Sequence, residues 1–498
     1  MAKKISDDLK RLYRELGYLG ALEEKPRKRG AAPRDDKAAS DLPPLDADGL
    51  KQIEALLRRQ PNQFLKQFRA GNQMPLTNAE LREGFAELHQ AFKTPGAHVA
   101  KLQTARRQAA GPRRRGDAGL PPSIQLYGDI KIEPQNRRFE PLGDLLGWIV
   151  NSAGQYVAQQ TNLSIFKDRF PAHADHPGRF IYAMKDRAGR PADPEQKISV
   201  ALFGDFGTGV YHSLHIARQM AELQPDYAVH LGDVYYAGRS SEFEKYFNAP
   251  LAPLIRQSRF FTLNANHEML SGGKPYFHFI DQRRQRPDGG MAQEQEGSYF
   301  CIRGPRCQII GIDTAFHKIG RHNQTAINQW LEQCLREGKK ASPRCVNILL
   351  SQNEPYELGE KKFTAACNDL KRFIDDKLID FWFWGNTHYS ALFNQNDRAP
   401  FIGSCCGHAG HPVFKKNVDA AMQKHAENLR QSNDIPAAAW VDDSRKFPDH
   451  VPNAPNYKNP RPDLGNNGFC LLELEGDKFR LIYYDWLKNI RHVAEFSA

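Results

Sequence analysis

The sequence predicts an α/β fold from about residue 195 onward, preceded by a mainly helical, basic N-terminal region. Three observations carry this expectation. From Lys197, short apolar runs alternate with amphipathic stretches of helical period, the pattern of helices packed on mostly parallel sheet. Four of those runs end in carboxylate, amide or imidazole residues at the start of a loop, where α/β proteins assemble their sites. The first 120 residues lack this alternation and show helical stripes interrupted by Pro-, Ala- and Arg-rich segments.

At 498 residues the chain calls for two or three domains, and 40% hydrophobic residues suffice for a sizeable core. The divisions expected are 1–120 as a linker-interrupted helical region, 121–194 as a mixed connecting segment, and 195–498 as the α/β domain. No run approaches the ~18–20 apolar residues of a membrane span. The stretch Leu142–Val157 carries Asp144, Asn151 and Gln155 and reads as a packed helix. The opening "MAKKISDDLKRLYREL" lacks the apolar core of a secretory signal. All eight cysteines follow residue 300 without CxxC pairing, which suits a reducing compartment. A cytoplasmic location is expected, with signal-less export left open.

In the N-terminal region, Leu9, Leu12, Tyr13 and Leu16 share one helical face behind Ser6 as N-cap. A linker at about Lys25–Pro44 precedes helical stretches over Asp48–Phe68 and about Thr77–Phe92. Lys51–Leu120 holds 13 Lys/Arg against 5 Asp/Glu, a net +8 of the chain's formal +11. Such a stretch is either a solvated basic loop or a docking patch for a polyanion or protein partner. No aromatic residue interleaves Arg106–Arg107 or Arg113–Arg115, so base stacking has no support there.

Beyond Lys197 the expected strands are Ile198–Phe203, Tyr227–Leu231, Phe260–Leu263, Cys307–Ile312, Val346–Leu350 and Phe381–Trp384. Helices fall on "HSLHIARQMAEL", on "SEFEKYFNAPLAPLI" until its prolines, on "QTAINQWLEQCLREG" and on "FTAACNDLKRFIDDKL". The segment "GFCLLELEGDKFRLIYYDW" reads as a hairpin turning at Gly476–Asp477.

The strand ends carry the chemistry. Asp205 lies in GDFGTG, Asp233 and Tyr236 in GDVYYAG, Asn266 and His267 in NANHE, and His388 in GNTHYS. A single Asp after a strand is ordinarily a helix N-cap. Two in matched contexts, followed by amide and imidazole at later strand ends, point to a metal-centred hydrolase site.

This ordered set, GD-x-G, GD-x-x-Y, N-H-E and a late x-x-H, resembles the calcineurin-like metallophosphoesterases, and its tyrosine is similar to the purple acid phosphatase branch. The resemblance runs from about Lys197 to the C-terminus. It implies a four-layer αββα sandwich and hydrolysis of a phosphate mono- or diester by a metal-activated hydroxide. It also implies a first metal on Asp205, Asp233, Tyr236 and His388, and a second on Asp233, Asn266 and two histidines. Gln352 (or its neighbour Asn353) and Asn386 stand where those histidines belong, so the second site is expected to be weak.

The first donor set suits iron, with zinc or manganese as alternatives, and the amide-rich second set suits Mg²⁺ or Mn²⁺. One tightly held ion is expected. Asp205, Asp233 and His267 are the expected catalytic residues, with His267 as general acid or phosphoryl-oxygen ligand. His408 and His411, in the Gly-rich "GSCCGHAGHP", are candidate substrate contacts. Three functions compete. One is a phosphoesterase with an impaired second metal site. Another is a weak or inactive protein of the same fold acting as a binding module. The third is a nucleic-acid phosphodiesterase that captures its substrate through Lys51–Leu120.

Overall fold

In a computed structural model of the chain, the described residues are 124–127, 130–132 and 178–497, without 236, 285–292, 317–324, 343, 412, 414, 432–433 and 443–464. The helices expected before residue 120, the basic stretch Lys51–Leu120, the packed helix at Leu142–Val157 and the ligand assigned to Tyr236 all lie outside the described residues. Strands β1 (Ile124–Tyr127) and β2 (Ile130–Ile132) pair antiparallel within the segment left as mixed.

The remaining strands are β3 (Ile181–Ala183), β4 (Ile198–Phe203), β5 (Tyr227–His230), β6 (Arg259–Thr262), β7 (Phe300–Arg303), β8 (Cys307–Gly311), β9 (Val346–Ser351), β10 (Phe381–Trp384), β11 (Ser390–Phe393), β12 (Ile402–Cys406), β13 (Ala438–Val441), β14 (Gly468–Glu475), β15 (Lys478–Asp485) and β16 (Ile490–Ser497). They form an eight-stranded sheet in the order β13-β11-β12-β10-β9-β8-β7-β3 and a six-stranded sheet in the order β16-β15-β14-β4-β5-β6. Each sheet has a parallel centre, β12-β10-β9-β8 in one and β4-β5-β6 in the other. Antiparallel pairs flank these centres, including the hairpin of β14 and β15, whose Gly476 takes φ +60°, and the edge strand β3 returns to a parallel pairing with β7.

The period of two along each strand sets the layers. On β4, Ile198, Val200 and Leu202 join Ile348 and Leu350 of β9 and Phe381 and Phe383 of β10 in the core between the sheets. The alternate residues, Leu349, Trp382 and Trp384, pack with Trp330, Leu331 and Leu335 of the helix Thr325–Ala341. Both faces of the central strands are therefore buried, which is why they read as unbroken apolar runs rather than alternating ones. Helices outside two stacked sheets make an α/β sandwich of the kind the motifs imply.

Two expectations are corrected. The helix starting at Ser240 does not stop at its prolines. A π-helical turn, Phe243–Asn248, hands the chain to a new helix, Ala249–Gln257. Pro250 falls in that helix's first turn, where a missing N–H costs nothing, and Pro253 is accommodated inside. The helix over "FTAACNDLKRFIDDKL" is two short ones, Ala365–Asp369 and Lys371–Asp375, divided at Leu370. The N–H of Leu370 bonds Cys367 O three residues back, and this tightened turn ends the first helix. All eight cysteines are buried free thiols. Among the described residues no helix is long and apolar enough to cross a membrane.

Candidate metal centre

Parallel strands in both sheets deliver their following residues to one place. The two sheets touch there through backbone. A Cβ on Gly204 would lie 3.1 Å from Gly385 Cα, so the loops after β4 and β10 meet without side chains between them. The segment after β12 docks alongside, with Gly204 N–H bonding Cys406 O at 2.9 Å and His411 N–H bonding Asp205 O at 3.1 Å. A Cβ on Gly407 would stand 2.7 Å from Asp205 Oδ2, so glycine is required for this close packing.

Asp205, Asp233 and His388 are buried, and their ligand atoms lie within 4.8 Å of one another. The side chain at their centre is Tyr235. Its hydroxyl donates to Asp205 Oδ1 at 2.8 Å and stands 2.7 Å from His388 Nε2 and 3.4 Å from Asp233 Oδ2. His388 Nε2 is 3.1 Å from Asp205 Oδ1. The Tyr235 ring lies between His267, at 4.2 Å, and His411, at 4.4 Å, and His411 stacks on His388 at 4.0 Å. His411 thus joins the cluster. His408 is buried but directs Nε2 toward Gly468 at the start of β14.

Four site residues hold left-handed backbone: Asp205 (φ +59°), Asp233 (φ +74°), Asn386 (φ +65°) and His388 (φ +57°). That conformation costs a non-glycine residue on the order of 1–3 kcal/mol. The surrounding hydrogen bonds hold it in place. Asn386 N–H donates to Asp205 Oδ2 at 2.8 Å, Asp233 N–H to Glu268 Oε2 at 3.2 Å, and His267 N–H to Asp233 Oδ1 at 3.3 Å.

Beyond Asp233 the partners are amides. Gln352 Nε2 donates to Asp233 Oδ2 at 3.0 Å and to Asn386 Oδ1 at 2.9 Å, and Asn386 Nδ2 donates to Glu354 Oε2 at 2.7 Å. Gln352, rather than Asn353, therefore reaches the centre. Asn353 turns its backbone to Thr314 Oγ1 and Ser351 Oγ. Asn266 opens the helix Asn266–Leu270 with its Oδ1 buried and without a hydrogen-bond partner.

Burial sets the electrostatics. It raises Asp205 to about 7, against the opposing hydrogen bonds of Tyr235 and the Asn386 N–H. Asp233 rises for the same reason, and the neighbouring Asp205 adds to the rise. Burial drives His388 down to about 4, so its imidazole is neutral, and it holds the Tyr235 phenol above its ordinary value. Two desolvated carboxyls, a phenol and a neutral imidazole on one point form a donor set that a cation would satisfy. Buried oxygens without partners at Asn266 Oδ1, Gln352 Oε1 and Glu268 Oε1 add to that deficit, and the residues present fit a metal ion.

Sequence reading missed Tyr235 and Glu354, and gave Glu268 only as the last residue of the N-H-E motif, without a role. Tyr235 is the immediate neighbour of the tyrosine chosen from the motif spacing, and adjacent loop residues have no periodicity to separate them. Glu354 follows Gln352 by two residues at the same strand end, a signal available in principle.

Buried acids and an imidazole at the strand ends of a two-sheet sandwich form a cluster that could hold a metal ion. The calcineurin-like phosphoesterase family matches residues 198–390, and the chain carries a domain of that family. Among curated proteins none matches the sequence. Similar solved structures include a purple acid phosphatase from yellow lupin (Lupinus luteus) seeds, with 15% identity over 62% of this chain and a TM-score of 0.42. The chain spans 55% of that protein's length. They also include an anchor protein of the Plasmodium inner membrane complex (10% identity, 60% of this chain and 89% of that one, TM-score 0.41) and PhoD (11%, 62% and 70%, 0.40).

Proposed function

We propose that the chain hydrolyses phosphate esters with one tightly held metal ion bound by Asp205, Asp233, Tyr235 and His388. The observation that carries this reading is the convergence of Asp205 Oδ1, Asp233 Oδ2 and His388 Nε2 on the Tyr235 hydroxyl. Such an ion polarises the phosphoryl group and lowers the pKa of an attacking water. The chain's own residues do the rest. Asp205 and Asp233 give up their protons on metal uptake and hold the charge. His411, stacked on His388, fixes that ring and shields it from water. His267, anchored by its N–H on Asp233 Oδ1, offers its ring beside Tyr235 to protonate the leaving oxygen.

A second reading has its own support. The hydrogen bond from Gln352 to Asp233 satisfies an oxygen that a second cation would otherwise claim, which favours a binding protein of weak or no turnover. The two readings part on p-nitrophenyl phosphate and its bis ester, assayed with iron- and manganese-loaded chain. Turnover that vanishes in Asp233→Asn and falls in His267→Ala supports the hydrolase. Metal retention without turnover on either ester supports the binding protein.

A further inference from the structure

The residues beyond Asp233 also define what the alcohol arm of an ester would meet. We propose that Gln352, Asn266 and Glu354 receive a primary ammonium carried on a short arm of a bound phosphate ester, so that the chain selects aminoalkyl phosphodiesters. The proposal rests on the phosphate-ester reading above and names a substrate class for the same site.

Access comes first. Asn266, Glu354 and Asn386 are half-buried, whereas the residues on either side of each are buried, so among the described residues the centre opens on these three. Packing brings them together. A Cβ on Gly232, at φ +100°, would lie 2.8 Å from Ala265 Cβ and 2.9 Å from Gln352 Cγ, so Gln352 packs against the residue before Asn266. Gln352 Nε2 donates to Asn386 Oδ1 at 2.9 Å, and Asn386 Nδ2 donates to Glu354 Oε2 at 2.7 Å.

This open side is rich in acceptors and poor in donors. Gln352 is 0% exposed yet leaves Oε1 unpartnered, and Asn266 Oδ1 is likewise buried and unpartnered. A buried acceptor left unmade is costly, so the pair calls for a donor from outside the chain. The charges acting most strongly on Asp233 are those of His267, Asp205 and His388, and on Glu354 those of Asp205 and Asp233, with no lysine or arginine among them. A primary ammonium carries three N–H donors and a positive charge. Two amide oxygens and a carboxylate match the donors, and the carboxylate matches the charge. A hydroxyl arm would satisfy one acceptor and leave Glu354 unneutralised, while a trimethylammonium arm would bring charge without a donor. A diester also keeps one negative charge where a monoester takes up to two, which suits a mouth of neutral amides and a carboxylate.

The test titrates the iron-loaded full-length chain by calorimetry with aminoethyl methylphosphonate, which lacks a good leaving group, and with its propyl, hydroxyethyl and trimethylammonioethyl counterparts. The aminoethyl ester should bind about tenfold or more tighter than each of the others. Glu354→Gln should cut that preference by about tenfold, and Asn386→Asp, which adds a carboxylate beside Glu354, should widen it by about threefold. A preference compares ligands on one protein, so a merely structural loss, which weakens all four alike, does not move it. Equal or absent binding of the four esters overturns the proposal, and so does a preference that survives Glu354→Gln. Should that variant fail to fold, a preference not widened by Asn386→Asp overturns it instead. Hydrolysis of p-nitrophenyl aminoethyl phosphate separates the two readings, since water's oxygen then replaces p-nitrophenolate on phosphorus and a proton is released. A binding preference without p-nitrophenolate release supports this proposal and fails the hydrolase reading. Release without preference over the propyl ester overturns this proposal and leaves the hydrolase reading standing.

Discussion

The two sides of Asp233 solve the same electrostatic problem in opposite ways. On one side, Asp205, Tyr235 and His388 converge on a point with donors of three chemical kinds, and burial raises Asp205 to about 7 so that proton and cation compete for it. On the other, Gln352 and Asn386 lend N–H groups to Asp233 and Glu354, and the carboxylates are served without any ion. The first arrangement holds two buried carboxyls whose raised pKa values a cation would bring back down. The second already has amide N–H groups on its carboxylates and must give up those hydrogen bonds to take an ion. Affinity should therefore differ across a single shared carboxylate, from the relation of donors to alternatives rather than from donor count.

The strongest way to break this contrast is to remove the shared residue. Asp233→Asn should lose both the retained ion and turnover, by about a thousandfold or more in rate, as elemental analysis and ester hydrolysis will show. The contrast sharpens if the poor side is given imidazoles. Gln352→His with Asn386→His should raise the tightly retained ion from about one to about two per chain, because imidazoles, stronger donors to transition metals, replace amides. An unchanged metal content after dialysis would mean that geometry, not donor type, limits that side.

A smaller effect, about ten- to a hundredfold in metal affinity, is expected for Tyr235→Phe, with loss of any visible iron–phenolate band. Tyr236→Phe should keep the band. The reverse outcome would return the ligand to the residue that motif spacing selects.

Acidity gives a further graded test. The raised Asp205 and Asp233 carboxyls hold protons through the window from their ordinary value near 4 up to about 7, so uptake of Mn²⁺ at pH 6 should release protons and uptake at pH 8 should release fewer. His388 is lowered to about 4 and is neutral across that window, so it adds nothing to the release. Affinity should thus fall as pH drops below 7, measured by calorimetry in buffers of different ionisation enthalpy. The smallest effect is expected from packing alone. Gly407→Ala puts a methyl 2.7 Å from Asp205 Oδ2 and should weaken the retained ion, whereas Gly178→Ala meets open space and should change nothing.

Much of the framework was legible because buried parallel strands announce themselves. "FWFW" and "VALF" are apolar on both faces, and their ends fixed where Asp205 and His388 would stand. The antiparallel margins were less legible. β7, β11, β12 and β13 are four or five residues long, too short for a period to show. The helix that survives Pro250 and Pro253 was hidden by a π-helical turn that no local pattern signals. At the site, strand ends gave the acids and the imidazole, but the place of the Tyr235 hydroxyl among them depends on how the loop after β5 turns. The hydrogen bond that ties Glu354 to the site depends on which way Asn386 faces, and that is tertiary information.

The left-handed backbone at Asp205, Asp233, Asn386 and His388 has a consequence for how this domain can change. Glycine would relieve the strain at each position, and among ordinary residues asparagine and aspartate tolerate it best. Selection for thermal robustness alone would thus push against the centre, since the relaxed residue at each corner is not the functional one. A library sorted only for resistance to heat should gather glycine at these corners, and one sorted for metal retention should refuse it at Asp205, Asp233 and His388. The four angles make the centre costly to keep and open to loss by drift.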